Sequence, residues 1–275
     1  MKKVIYTFAI YENNPSFLSF TLPTIIAYAR SVGADFKLIS NKSQIDPRYP
    51  RSEIIREKIK DAPHFSKLYA LEEFVYSGYD QMMLIDDDIL VRNSGLDLFS
   101  LYKPGGFLAS QHIGENGVPY LSLFESEEKN QKLQINYINK NSDTGEKGEY
   151  LESQLRNIIN SGLYVTDKMT ANHLLSSFKA PIGDYSKFGW YDQGYIMDRL
   201  AELKVPIQEI PPVTHANPCR IPCDKEKKSI KDRNTDFYHF NGLNTDQKNT
   251  LIKEFYLQNF DIFSIPVVVV GKIEN

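Results

Sequence analysis

Asp86, Asp87 and Asp88 stand side by side in this sequence, directly after the apolar run Met82-Met83-Leu84-Ile85. Three adjacent carboxylates at the end of a buried strand repel one another, and a divalent cation compensates them directly. Hard ions such as Mg²⁺ and Mn²⁺ prefer carboxylate oxygens and keep positions open for phosphate oxygens. Residues two apart on an extended strand share a face, so Asp86 and Asp88 are placed to converge on one ion while Asp87 points elsewhere, toward a ribose hydroxyl. The carboxyl ends of strands in an open α/β sheet are also where such sheets take ligands. The plainer alternative is an acidic surface turn, since aspartate is a common turn residue. The strand-like run in front of the triplet argues against it.

The elements that must position these residues follow a β-loop-α-β order, each strand short and apolar, which predicts an α/β fold with a mixed, mainly parallel sheet flanked by helices. Val4–Ile10 reads as a first strand, Phe17–Ser31 as a helix stopped at Gly33, and Asp35–Ser40 as a second strand. Helical patterns return over Ser52–Lys60 and after Asp61-Ala62-Pro63, where Phe65, Leu68, Leu71 and Val75 recur at helical spacing and predict a core-facing stripe. Gln81–Ile85 is a central strand, and Ile89-Leu90-Val91 resumes the apolar character as if the chain re-entered the sheet after a bend. Phe107–Gln111 and Asn160–Val165 read as strands, Met169–Ser177 and Tyr191–Leu203 as helices, and Ile207–Ile210 as a strand edge. The polar stretch at about 114–150 reads as an insertion. After Gly242 come a helix and a late strand, Ile265–Val270. The predicted organisation is a single domain, 1–242, with a C-terminal extension, 243–275, packed on it.

Charge and composition narrow the function. With 32 basic and 35 acidic residues the net charge is −3, and the basic residues are scattered, so nucleic acid is not the expected partner. The two cysteines, Cys219 and Cys223, lack the second pair that a zinc site needs and are expected to be free thiols. The apolar stretch within Met1–Phe8 is too short for a signal peptide, and no run approaches the roughly 20 apolar residues of a membrane span. The chain is therefore expected to be soluble and cytoplasmic.

Five blocks in order carry a family resemblance: Lys67-Leu68-Tyr69-Ala70-Leu71, the strand with its triplet at Met83–Val91, Asn160-Ser161-Gly162-Leu163-Tyr164-Val165, Trp190-Tyr191-Asp192-Gln193, and Tyr238-His239-Phe240-Asn241-Gly242. Together they resemble the DXD-containing glycosyltransferases of GT-A fold, especially the family 8-like group. The resemblance implies a Rossmann-like GT-A domain and a hexosyltransferase. Such an enzyme moves a sugar from a nucleotide diphosphate donor, a UDP-sugar being favoured, to a glycan or other hydroxyl acceptor.

What the resemblance implies for individual residues can be set beside their ordinary roles. Asp86 and Asp88 bind Mn²⁺ or Mg²⁺, with His239 as a third ligand; His239 also fits a hydrogen-bonded strand histidine. Ala9, Tyr11, Lys67, Asp86, Asp87, Asn160 and Gly162 contact the nucleotide sugar. Tyr11 stands where the family often carries an acidic residue, and it is equally an ordinary strand-end tyrosine. Lys67 reads alternatively as a solvent-facing helix lysine. Asp192 and Gln193 act on the transferred sugar, Asp192 orienting it or serving as a base, and Trp190 lies on the acceptor side. Asp192 also suits an N-cap. The family's closing motif continues to a lysine where this chain has Thr245, with Lys248 as the nearby substitute.

Three other readings share some of these features. A strand followed by Asp-x-Asp also describes a phosphatase nucleophile motif, but here a whole β-α-β unit precedes it. A sugar-nucleotide pyrophosphorylase would need a glycine-rich, basic loop after the first strand, and none is present. A non-catalytic carbohydrate-binding module on the same fold would use the abundant aromatic residues equally well.

Overall fold

The computed structural model describes residues 1–59, 63–93, 95–111, 159–176, 191–211, 215–216 and 235–263. The expectations for 114–150, Trp190, the two cysteines and Ile265–Val270 lie outside these residues. In chain order the elements are β1 (Lys3–Phe8), α1 (Leu18–Ser31), β2 (Asp35–Ile39), α2 (Ser52–Ile59), α3 (Ser66–Tyr76), β3 (Gln81–Ile85), β4 (Ile89–Val91), α4 (Leu98–Leu101), β5 (Phe107–Gln111), β6 (Ile159–Asp167), α5 (Lys168–Ser176), α6 (Tyr191–Glu202), β7 (Ile207–Glu209), β8 (His215–Ala216), β9 (Phe237–His239), α7 (Thr245–Gln258) and α8 (Phe260–Phe263).

The strands form a six-stranded sheet in the order β2-β1-β3-β6-β5-β7 and a three-stranded sheet in the order β4-β9-β8. In the large sheet β1 runs parallel to β2 and β3, β6 runs antiparallel to β3 and β5, and β5 runs parallel to β7. This is the mixed α/β architecture expected, with one difference. Ile89–Val91 does not re-enter the large sheet but starts the small one, pairing antiparallel with β9. An apolar triplet reads as a strand in either sheet, and only its distant partner decides which.

Helices cover both faces of the large sheet, which is why β1 and β3 are apolar on both sides. Val4, Tyr6 and Leu84 point into one core cluster with Leu68, Leu71, Leu174 and Ile196, so α3, α5 and α6 lie on that face. Ile5, Met83 and Ile85 point into the other with Ile25, Tyr28 and Phe237, so α1 and the small sheet lie opposite. A third cluster, including Ala9, Phe17, Leu90, Tyr238, Phe240, Ile252, Phe255 and Phe263, packs α7 and α8 against α1 and the small sheet. Its rings meet at centroid distances of 5.1–5.5 Å for Tyr238–Phe255, Tyr238–Phe263 and Phe240–Phe255.

Local signals explain the ends of the elements. Helix α1 closes at Gly33, whose φ of 66° suits a residue without Cβ. The Gly33 and Ala34 N–H groups donate to Arg30 and Ala29 carbonyls, capping the helix in a Schellman arrangement. Asp167 ends β6 and starts α5, accepting from Thr170 N–H at 2.8 Å and Gly105 N–H at 2.7 Å. Helix α3 is buried more fully than its stripe predicts. Leu68 and Leu71 are fully enclosed, each worth roughly 1.5–3 kcal/mol of burial, but so are Lys67 and Glu72. Glu72 accepts from the Arg51 backbone at 2.9 Å. Among the described residues no helix is long and apolar enough to cross a membrane.

Candidate functional site

The aspartate triplet occupies a turn between the two sheets. Strand β3 ends at Ile85, the Asp86 N–H donates to the Gly162 carbonyl at 2.8 Å, and the Ile89 N–H turns back to the Asp86 carbonyl at 3.2 Å. Asp86 and Asp88 therefore converge through a turn, where strand pleating had been expected to align them. The small sheet supplies the third member. Ile89 is in register with His239, and the Phe240 N–H donates to the Asp88 carbonyl at 3.1 Å.

Asp86, Asp88 and His239 each present a ligand atom within 4.8 Å of the others. His239 Nε2 lies 3.1 Å from Asp88 Oδ1 and 3.6 Å from Asp86 Oδ2. Asp88 Oδ1 is buried and makes no hydrogen bond. A buried carboxylate oxygen without a donor is costly unless something positive meets it. Two carboxylates and one imidazole suit Mn²⁺ or Mg²⁺, with the nitrogen favouring the transition metal. The residues present fit a divalent cation.

Two lysines share the compensation. Lys67, only 8% exposed at its side chain, lies 3.0 Å from the Asp86 carboxylate and 3.4 Å from Asp192 Oδ2. Burial alone would lower its pKa, but the charges of Asp192 and Asp86 outweigh that and hold it above the usual lysine range. It is not the solvent-facing residue that its sequence also allowed. Lys248, on α7, lies 2.8 Å from Asp88 Oδ2. Burial pushes Asp88 up, yet the adjacent His239 and Lys248 hold it well below the carboxylate range. Asp87 goes the other way: burial, then the Asp88 and Asp86 charges, push it up to about 8.

Gly162, Asn160, Asp192 and Tyr11 lie beside this centre. Gly162 has its carbonyl on Asp86, and its N–H donates to Asn160 Oδ1 at 2.7 Å. Asp192 lies in the first turn of α6, inside the helix rather than capping it, with Oδ2 buried and not hydrogen-bonded. Gln193 accepts from the Ser161 N–H at 3.3 Å and leaves Nε2 buried without a partner. Tyr11 packs edge-on against Phe17, with ring centroids 6.1 Å apart, and burial followed by the nearby Asp87 charge pushes its hydroxyl pKa up. Ala9 is enclosed in the third core cluster, its N–H on the Ile39 carbonyl at 3.0 Å.

No protein-family model and no curated protein matches the sequence. Many solved structures are similar, two glycosyltransferases among them. A glycosyltransferase involved in the glycosylation of the major capsid of PBCV-1 is 12% identical, with 92% of this chain and 100% of that one covered and a TM-score of 0.47. The galactosyltransferase LgtC, solved with donor and acceptor sugar analogues, is 16% identical, with 97% and 98% covered and a TM-score of 0.50. The fold is GT-A. In this GT-A chain the aspartate turn lies at the carboxyl end of β3, the edge at which open α/β sheets take ligands.

Two further residues beside this cluster carried little signal. Lys248 was legible only as a stand-in for a missing lysine, and its contact with Asp88 depends on where α7 packs. Tyr164 passes in sequence for a core strand residue. Its hydroxyl is fully buried without a hydrogen bond, within electrostatic range of Asp192 and Asp86. The two-residue spacing from Gly162 puts both on one face of β6, which is the signal that could have found it.

Proposed function

We propose that this chain is a hexosyltransferase of the family 8-like group. It transfers a sugar from a nucleotide diphosphate donor, a UDP-sugar first, to a hydroxyl of a glycan or other acceptor. The observation that carries the reading is the meeting of Asp86, Asp88 and His239 around an Asp88 oxygen that is buried without a hydrogen bond. It is supported by the GT-A fold and by the place of that meeting at the carboxyl end of β3.

Asp86, Asp88 and His239 hold Mn²⁺ or Mg²⁺, which when bound offsets the negative charge developing on the departing diphosphate. Lys67 keeps Asp86 and Asp192 in place between α3 and α6. The nucleotide lies along Ala9, Tyr11 and Asp87, and the donor sugar against Asn160, Gly162, Asp192 and Gln193. Asp192 Oδ2 and Gln193 Nε2, an acceptor and a donor both buried without hydrogen bonds, are matched to sugar hydroxyls. In the transfer the bond from the anomeric carbon to the diphosphate oxygen breaks. A bond to the acceptor oxygen forms, and the acceptor hydroxyl passes its proton to the Asp192 carboxylate, acting as base. Trp190 is assigned to the acceptor side.

Mn²⁺ with UDP should raise the melting temperature, by mass action on the folded state. Nucleotide sugars incubated with the protein and Mn²⁺ should be slowly hydrolysed. If no nucleoside diphosphate shifts the melt in the presence of Mn²⁺ or Mg²⁺, and no nucleotide sugar is turned over, the reading is wrong.

A further inference from the structure

A group of tyrosines stands away from the aspartate turn, where the end of α3 meets the edge strand β2. Tyr76, the last residue of α3, is 52% exposed. Tyr49 lies flat against one of its faces, with ring centroids 5.1 Å apart and planes 9° from parallel, so the opposite face is the one open to solvent. The Tyr49 loop is held in place by Tyr69, whose hydroxyl donates to the Gln44 carbonyl at 3.2 Å and accepts from the Asp46 N–H at 2.9 Å. Charges nearby are already matched: Lys37 pairs with Glu73, Arg48 pairs with Asp46, and the Tyr79 hydroxyl donates to Asp35 at 2.8 Å. One polar group is not matched. The Tyr6 hydroxyl is fully buried without a hydrogen bond, within electrostatic range of Glu73, Tyr79, Tyr49 and Tyr69. The Lys37 ammonium stands 5.5 Å from the Tyr6 ring centroid.

A flat aromatic face bordered by paired charges suits a ligand with a C–H face, several hydroxyls and no charge of its own. Pyranose rings have that build. We propose that Tyr76 and Tyr49 form a carbohydrate-binding surface distinct from the aspartate turn, on which a neutral hexose ring stacks against the open face of Tyr76 and its hydroxyls bond the Lys37–Glu73 pair. A water between the sugar and Tyr6 supplies the partner that this hydroxyl lacks. Tyrosine suits the role because its ring gives a wide contact at little cost in side-chain freedom. Lys67, in the first turn of α3, touches Asp86, and Tyr76 closes the same helix about 13 Å further along its axis. A glycan on Tyr76 is therefore held outside the position where sugar is transferred, and its binding needs no metal at Asp86 and Asp88.

Saturation-transfer NMR on the full chain, without donor or metal, tests this with maltohexaose, cellohexaose and lactose. Irradiating the aromatic protons of the wild type should saturate the C–H protons of at least one of them. Tyr76→Phe keeps the ring and should bind as the wild type does. Tyr76→Leu keeps bulk against Tyr49 without a flat face and should weaken binding about tenfold. Asp88→Asn should leave it unchanged, and circular dichroism checks that each variant is folded. Saccharide binding that survives Tyr76→Leu, or that is lost in Asp88→Asn, overturns the proposal. So does a wild type that takes up none of the three sugars. A proline-rich peptide is the other ligand that docks on exposed aromatic rings, and a decaproline peptide bound through Tyr76 in place of any sugar overturns it as well.

Discussion

Gly162 approaches His239 so closely that a methyl group in its place would lie 2.4 Å from the imidazole Cε1. The same methyl would lie 2.6 Å from Asp86 Oδ2 and 2.8 Å from Asn160 Oδ1. The large sheet, through β6, and the small sheet, through β9, can meet around the aspartate turn because this position has no side chain. A Gly162→Ala chain should therefore keep its secondary structure but displace the cluster. Overpacking of this kind costs about 1–3 kcal/mol. The Mn²⁺-dependent rise in melting temperature should disappear along with that loss. A variant as stable as the wild type that still responds to Mn²⁺ would show that the contact is not limiting.

Asp88→Asn keeps the shape of the side chain and removes its charge. Donor hydrolysis should fall by at least ~100-fold, on the scale of a lost metal contribution of several kcal/mol to the transition state. The melting shift with Mn²⁺ and UDP should vanish. Turnover retained within a few-fold of wild type would remove Asp88 from the proposed ligand set.

Lys67 stands between two carboxylates in a nearly dry setting. Replacing it by Met leaves Asp86 and Asp192 without their shared cation, a change that costs about 3–5 kcal/mol for a buried pair. Adding Asp192→Asn should recover part of that loss, because one unmatched charge disappears. Urea denaturation of the single and double variants measures this. Purely additive losses would mean that Lys67 and Asp192 are not energetically linked.

Asp167 supplies a pH dependence away from the cation site. Burial pushes its carboxyl up, but the Thr170 and Gly105 N–H groups and the Tyr102 hydroxyl outweigh this and hold it below the usual range. A depressed carboxylate contributes stability above its unfolded pKa of about 3.9 and loses it as pH falls through the folded value. The stability gap between wild type and Asp167→Asn should thus be widest near neutrality and shrink below about pH 4. Denaturant midpoints at pH 7, 5 and 3 check it. A gap equally wide at pH 3 would refute the assignment.

The legible parts of the fold are those in which period and punctuation agree. Helix α1 stops at Gly33 as read, β3 is apolar on both faces, and of the expected stripe Phe65, Leu68 and Leu71 are buried while Val75 is half-buried. The aspartate triplet announced itself by its charge and by the apolar strand in front of it, and His239 was reached through a resemblance. Lys67 and Asp192 each had an ordinary reading, as a surface lysine and a helix cap. Residues this far apart in sequence reveal no partnership until α3, β3 and α6 pack together.

By itself the sequence determined the longer of the described strands and helices and which residues hold negative charge in one place, because hydrophobic period and local charge are properties of neighbours. Tertiary structure alone decided that Ile89–Val91 belongs to a second sheet, that two aspartates converge through a turn, and that Lys248 occupies one oxygen of Asp88. Each of these depends on a hydrogen bond or ion pair between distant elements. Such contacts form only once the third core cluster brings β4, β9 and α7 against α1.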